Sequence, residues 1–409
     1  MDFYNEYFEG IFWIPGKKSN KITATLFIDN QGNCTITSLQ SLKLDKGKNI
    51  IDRDWKKIDI VVGYISSNKT SKNLSIKLHN VQKTHQSENA LSKYKYISHE
   101  CYLSTRIDNE IESLNYNIVM ISAQIINDWI NISGFELDFN DSESIKVNQF
   151  YKQPEIIDLF KNDSLHIYIY FRASVGYPMK RKSKIEETVF INIQTSSDKT
   201  IQELNNLKVI IERLLNVLLL YPFTSSQTEF KSESGNSYLT LKKPKEFSTG
   251  ISQKINYETF ISNSQIIFDN WLQKQDQLKL SINNFFSVYG QKGVLVENRF
   301  LTYISILENY HKNRVSNKDV ILKERLKFIL KNSIINSKIK SIDDYAQKLK
   351  TTRNYHSHLE EKHEAQSLNT DNIMKANVLL EFIIREIFIK EAGVTDVIMI
   401  PSFLEDSYD

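Results

Sequence analysis

Glycine and proline are scarce in this chain, 12 and 6 among 409 residues. They leave no long low-complexity linker and no glycine-rich phosphate loop. Cysteine is scarcer still. Cys34 and Cys101 are the two present, too few for a disulfide framework or a thiolate metal cluster, and both stand in strand-like surroundings where a small buried hydrophobe fits. Long apolar runs are missing as well: Val209 to Phe223 is too short for a membrane span and carries Glu212 and Arg213. The first residues include Asp2 and Glu6 where a secretory leader would be basic. The expected location is therefore cytoplasmic, with no membrane partner. Charge of one sign is also lacking. A formal net charge of +3 does not point to nucleic acid by itself, so any basic surface has to be local.

What is present divides into two halves. The first is rich in short β-prone runs: Ile22 to Ile28, Cys34 to Leu39, Ile58 to Ile65, Leu74 to Leu78, Tyr116 to Ser122, Leu165 to Phe171 and Thr188 to Ile193. Asp29-Asn30-Gln31-Gly32-Asn33 between the first two is hairpin turn chemistry. Many short strands with polar turns between them predict an antiparallel sandwich or barrel-like sheet. Thr200 to Leu220 breaks the pattern, with Thr200 at a capping position, Glu203 completing a capping box, and Leu204, Leu207, Ile211, Leu214, Leu215 and Leu218 at helical spacing.

From about residue 256 the period is helical throughout, with helices expected at roughly 257–287, 293–313, 319–334, 342–355 and 371–391. Ser341 with Asp343 and Asp344 marks one helix start, and Asp371 another. The predicted fold is thus α+β and multidomain. A β-rich antiparallel N-terminal domain with one long helix (1–255) precedes an all-α bundle (256–409) of ordinary domain size.

The chemistry concentrates in Arg353-Asn354-Tyr355-His356-Ser357-His358. An always-cationic guanidinium can hold a phosphate, and an imidazole can move the proton of a neighbouring 2′-hydroxyl; brought together, they can cleave RNA without a metal. An Arg and a His five apart is weak evidence by itself, and its context strengthens it. Between His311 and Arg353 the chain holds twelve Lys and Arg against four Asp and Glu. These read either as solvated helix faces or as a basic rim that attracts a phosphate backbone. Geometry sets a condition: on an unbroken helix Arg353 and His358 are offset by about 140°. Either the helix ends near Arg353, or a second copy completes the site. His356, His358 and His363 make an unconvincing zinc triad because the first two point to different sides of a helix. Glu308, Glu360, Glu361 or Glu364 could orient an imidazole, and no spacing rule selects among them.

The Arg353 to His358 hexapeptide in a C-terminal helical bundle resembles the HEPN superfamily of ribonucleases, whose signature is Arg-x4–6-His. Phe300 to Tyr310 is similar to the helix that precedes the catalytic elements in the ApeA-like branch. Glu9 to Gly16, the strand pair after it, and Asp128-Trp129 resemble the β-rich N-terminal domain of ApeA anti-phage proteins. The resemblance implies that Arg353 and His358 are the catalytic pair, with Asn354 as the polar neighbour of the Arg. It also implies a dimer through the C-terminal bundle, cleavage to a 2′,3′-cyclic phosphate and a 5′-hydroxyl, and no metal or cofactor. A second histidine, His356, inside the motif departs from the pattern and could share the proton work.

The leading expectation is an anti-phage ribonuclease whose N-terminal domain senses infection or restrains the nuclease. Its partners would be an RNA substrate, tRNA among the candidates, a second copy of the chain, and a phage-derived trigger. The alternative is a non-catalytic RNA- or protein-binding dimerisation scaffold built on a degenerate bundle. A hydrolase site in the β domain finds no Gly-x-Ser-x-Gly elbow or paired-carboxylate motif to support it.

Overall fold

The structure is a computed structural model. It describes residues 3–42, 57–66, 73–88, 91–104, 107–108, 111–112, 115–140, 146–175, 185–219, 223–241, 255–316, 318–358 and 361–394. Two compact units emerge. One comprises residues 1–208 and 224–245, the other 209–223 and 246–409.

The strands of the first unit are β1 (Glu6–Trp13), β2 (Ile22–Ile28), β3 (Cys34–Ser38), β4 (Lys57–Ser66), β5 (Asn73–Glu88), β6 (Leu91–Ser98), β7 (Glu100–Ser104), β8 (Tyr116–Ser122), β9 (Phe135–Asn140), β10 (Lys146–Tyr151), β11 (Ile157–Lys161), β12 (Leu165–Val175), β13 (Ile185–Lys199), β14 (Gln227–Lys231) and β15 (Ser237–Thr240). A short helix α1 (Gln124–Trp129) follows β8, and α2 (Ile201–Leu219) follows β13. The order β5-β4-β1-β2-β3-β6 closes on itself because β6 pairs back onto β5, making an antiparallel barrel. Closure depends on the length of β5. Its first half pairs with β4 on one edge and β7 on the other, and its last residues, Gln82 to Glu88, pair with β6. The sheet then continues outward as β7-β15-β14-β8-β13-β12-β11, while β9 and β10 form a separate hairpin.

Alternation builds the barrel interior. In β2, Ile22, Ala24, Leu26 and Ile28 are buried, and the intervening residues are more exposed. These join Phe8, Phe12, Ile36, Val61, Leu74, Ile76, Cys34 and Cys101 in one core. Both cysteines are buried free thiols. The β2–β3 hairpin has the expected turn: Asp29 Oδ1 accepts the amides of Gln31 and Asn33, both at 2.8 Å, and Gly32 takes φ +83°. The capping box of α2 is also present. Thr200 N donates to Glu203 Oε2 at 2.9 Å, and Glu203 N donates back to Thr200 Oγ1 at 3.3 Å.

The second unit holds α3 (Tyr257–Val288), α4 (Val296–Tyr310), a π-helical turn (His311–Val315), α5 (Leu322–Asn332), α6 (Ile342–His358), a 3₁₀ segment (Glu361–Gln366) and α7 (Thr370–Glu391). Among the described residues the five helices that the period predicts all form, with shifted ends. Asn369, rather than Asp371, caps α7 by accepting the amide of Asn372 at 2.9 Å, and Asp371 sits in the first turn. The core stacks Phe285 on Tyr289 and Tyr303, with Phe388 set edge-on against Phe285 and Trp271. Glu391 on α7 ties three elements together through Lys274 of α3 (3.2 Å), Tyr310 of α4 (3.0 Å) and Arg314 of the π turn (3.1 Å). The architecture is α+β, a β-rich antiparallel part followed by a helical one. No helix among the described residues is long and apolar enough to cross a membrane.

Candidate active site

The candidate residues all lie on the last turns of α6. Ser341 starts this helix, accepting the amide of Asp344 on Oγ at 3.3 Å. In its first turn Asp343 receives Lys323 and Lys327 of α5, each at 2.7 Å, and these two hydrogen bonds pull its carboxyl down to about 2. Tyr345, Leu349 and Thr352 recur at helical spacing and are buried, which fixes the rotation of the helix. Thr352 is fully buried. Its Oγ1 donates to Lys348 O at 2.8 Å and accepts the amide of Leu368 at 2.9 Å. That second bond pins the chain beyond the helix back onto the turn that precedes Arg353.

Arg353 is half-buried and His358, the last helical residue, is exposed. Arg353 Nη1 donates to Asn354 Oδ1 at 3.2 Å and lies 3.4 Å from His358 Nε2. A guanidinium has donors only, so the contact is a hydrogen bond in the ring tautomer protonated on Nδ1, in which Nε2 presents a lone pair. The half-buried His356 turns elsewhere, its ring edge-on to Tyr355 at 4.9 Å.

This geometry corrects one expectation. Helix α6 does not stop at 355 but runs unbroken through His358, and Arg353 nevertheless meets His358 within a single chain. The 140° offset describes the directions of the Cα–Cβ bonds. The flexible Arg stem crosses that arc along the helix surface, and a residue at the open helix end has no following turn to obstruct it. A second copy is therefore not needed to bring this pair together.

A second Arg–His contact serves as a contrast. Arg325 Nη1 lies 3.4 Å from His311 Nδ1, but both residues are buried. Arg325 also donates from Nε to Val320 O (2.7 Å) and from Nη2 to Lys318 O (3.3 Å). Burial, reinforced by the adjacent guanidinium, lowers the His311 pKa and disfavours the charged ring. That pair fastens the α4–α5 connection. Arg353 and His358 face solvent.

The basic segment is mixed in character. Lys323 and Lys327 are held by Asp343, Arg314 by Glu391 and Gln277, and Arg325 by backbone carbonyls. Lys312, Lys331 and Lys348 are exposed and carry no ion pair among the described residues. No carboxylate among the described residues is hydrogen-bonded to Arg353, His356 or His358, and Glu308 does not orient either imidazole. Glu360 and the side chains of Glu361 and His363 lie outside the described residues. Among the described residues no three His, Cys, Asp or Glu gather as a metal site. Sequence reasoning passed over Thr352 and Asp343 as positioning residues. A buried Thr inside a helix, where it is a poor helix former, was the available signal for the first.

Comparison with known proteins matches two family descriptions in order along the chain: ApeA N-terminal domain 1 over residues 8–288 and Apea-like HEPN over residues 297–397. No curated protein and no solved structure matches. The HEPN match takes in α4 except its first residue, α6 with Arg353 to His358, and α7. With the first match covering more than half of its length, the chain belongs to the ApeA-like family, an ApeA N-terminal domain followed by an Apea-like HEPN domain.

Proposed function

We propose that this protein is a defence endoribonuclease that cuts RNA without a metal, and that Arg353 and His358 carry the reaction. The observation behind the proposal is the solvent-facing contact of 3.4 Å between a guanidinium and an imidazole lone pair at the end of a helix inside the HEPN match. A scissile phosphate would draw the Arg353 guanidinium to its oxygens through paired charge-assisted hydrogen bonds. That frees the lone pair of His358 Nε2 to accept the proton of the 2′-hydroxyl. The 2′-oxygen then attacks phosphorus, and Arg353 stabilises the charge of the phosphorane-like transition state. The P–O5′ bond breaks, and the departing oxygen takes a proton from an imidazolium, His356 or His358. The products are a 2′,3′-cyclic phosphate and a 5′-hydroxyl, and DNA, lacking the nucleophile, resists.

Asn354 holds the guanidinium in place. Lys312, Lys331 and Lys348 supply local positive charge for an RNA backbone. The domain boundary near 255, a dimer through the helical part, cytoplasmic action, tRNA as substrate and a phage-derived trigger acting on the β-rich part all belong to this proposal. One observation favours the binding-scaffold alternative: no described carboxylate orients His358. Incubating the purified protein with total cellular RNA and mapping the cut ends tests the reading. Cyclic-phosphate ends support it; intact RNA, retained as a complex, supports the scaffold.

A further inference from the structure

Between Arg353 and His358 the last turns of α6 carry an aromatic side chain that the proton transfers do not use, Tyr355. It is only half-buried, whereas Tyr345, near the other end of α6, is buried in the core. Its ring meets that of His356 edge-on, with centroids 4.9 Å apart. Such a contact steadies the ring and covers at most one of its faces.

Helical position ties Tyr355 to His358. Residues three apart on a helix are neighbours, with Cβ atoms about 5–6 Å apart. Around the axis of α6 the order is Arg353, His358, Tyr355, His356, at roughly 0°, 140°, 200° and 300°. The Arg353 guanidinium closes the first of these gaps by reaching over to His358. Guanidinium, imidazole and phenol ring therefore follow one another across one side of the helix end.

The chemistry of the cut assigns a part of the RNA to each of the first two. The scissile phosphate lies on Arg353, and the attacking 2′-hydroxyl lies on His358 Nε2. That hydroxyl belongs to the nucleotide on the 5′ side of the phosphate, whose ribose carries the base on the adjoining carbon, C1′. Continuing in the same direction, the next side chain that this nucleotide meets is Tyr355. We propose that Tyr355 is the stacking platform for the base immediately 5′ of the cut. Aromatic side chains hold splayed-out bases in this way, with little preference among the four because every base has a π-face. A base inside a duplex is already stacked and paired, so the substrate class is RNA that is single-stranded at the cut. This assignment rests on the nuclease reading, and its test separates the two.

The test is single-turnover cleavage, by the full chain in excess, of an RNA whose cut site has been mapped. Its counterpart is the same RNA with an abasic ribonucleotide 5′ of the cut, which keeps the attacking 2′-hydroxyl and lacks the base. Tyr355→Leu keeps apolar bulk without the ring, and Tyr355→Phe keeps the ring. Wild type should need about 5- to 150-fold more protein to half-saturate the abasic RNA, the worth of one base stack. The rate at saturation should change little, as for binding shared by ground and transition states. Tyr355→Leu should show that loss on intact RNA and no further loss on abasic RNA, and Tyr355→Phe should match wild type on both. A complementary strand annealed across the cut should protect the RNA. If Tyr355→Leu does not fold, wild type on abasic RNA decides. Wild type indifferent to the missing base overturns the assignment while the nuclease reading stands. So does a Leu variant that discriminates against abasic RNA as wild type does, or one that is slow at saturation with unchanged half-saturation, the mark of a structural residue. No cleavage of any RNA by wild type overturns the nuclease reading and this assignment with it.

Discussion

Replacing Thr352 with Val isolates what holds the turn before Arg353. Valine has nearly the same shape, so the fully buried site stays packed and the helix keeps a β-branched residue. Two hydrogen bonds disappear: the 2.8 Å bond to Lys348 O and the 2.9 Å bond from the Leu368 amide. The Lys348 carbonyl keeps its place in the helix ladder and loses little. The Leu368 amide is left without its acceptor, but Leu368 is half-buried, so water meets part of that need. One lost bond and one partly stranded donor together cost about 2 kcal/mol. For a unit of this size that lowers the melting temperature by roughly 4–8 °C. Thermal denaturation, with hydrogen exchange of the peptide containing Leu368, reads both the global and the local effect. Thr352→Ser keeps the hydroxyl and should recover most of the loss. A Val variant as stable as wild type, or a Ser variant as damaged as Val, would refute the role assigned to Thr352.

Three further outcomes follow from the same structure. The Asp343 carboxyl, pulled down to about 2 by Lys323 and Lys327, contributes stability that is complete above its unfolded pKa of about 4 and is lost as the pH falls towards 2. Asp343→Asn should therefore flatten the acid limb of a stability–pH curve, and an unchanged limb would count against the clamp. Lys77, lowered to about 8, works in the other sense. Its burial costs most below pH 8, and the cost fades as the pH rises towards the unfolded lysine value, so wild type should gain stability on Lys77→Met between pH 8 and 10; parallel curves for the two would contradict it. His356→Ala should reduce RNA cleavage less than His358→Ala, since the His356 ring leans on Tyr355 and not on Arg353. Equal losses in a cleavage time course would reassign the two histidines.

Local features were the legible part of this chain. The β2–β3 turn, the capping box at Thr200 and Glu203, and the existence of the C-terminal helices rest on residues within a few positions of each other, and pattern reading reaches that far. Barrel closure does not. It depends on how far β5 extends past Leu78 to meet β6, which no local period records. The sequence predicts an end of α6 near 355, because Tyr, His and Ser are weak helix formers; the helix continues to His358 all the same. Arg353, Asn354 and His358 were identifiable as residues, but not as a contact, because the helical wheel ignores the reach of a side chain. Lys77 was invisible. In Leu74-Ser75-Ile76-Lys77-Leu78 it reads as the solvent face of a strand, and what buries it arrives from Asp108, Tyr116 and Tyr238, far along the sequence.

The most direct test of the central claim is single-turnover RNA cleavage in excess EDTA by wild type, Arg353→Ala and His358→Ala, each first shown to be folded. The account predicts that wild type cuts and leaves 2′,3′-cyclic phosphate ends. Removing the guanidinium should slow the step by at least about 10²-fold, as for other lost transition-state donors, and removing the imidazole by about 10²- to 10⁴-fold. Wild-type rates in either variant, or cleavage that EDTA abolishes and a divalent metal restores, would contradict it.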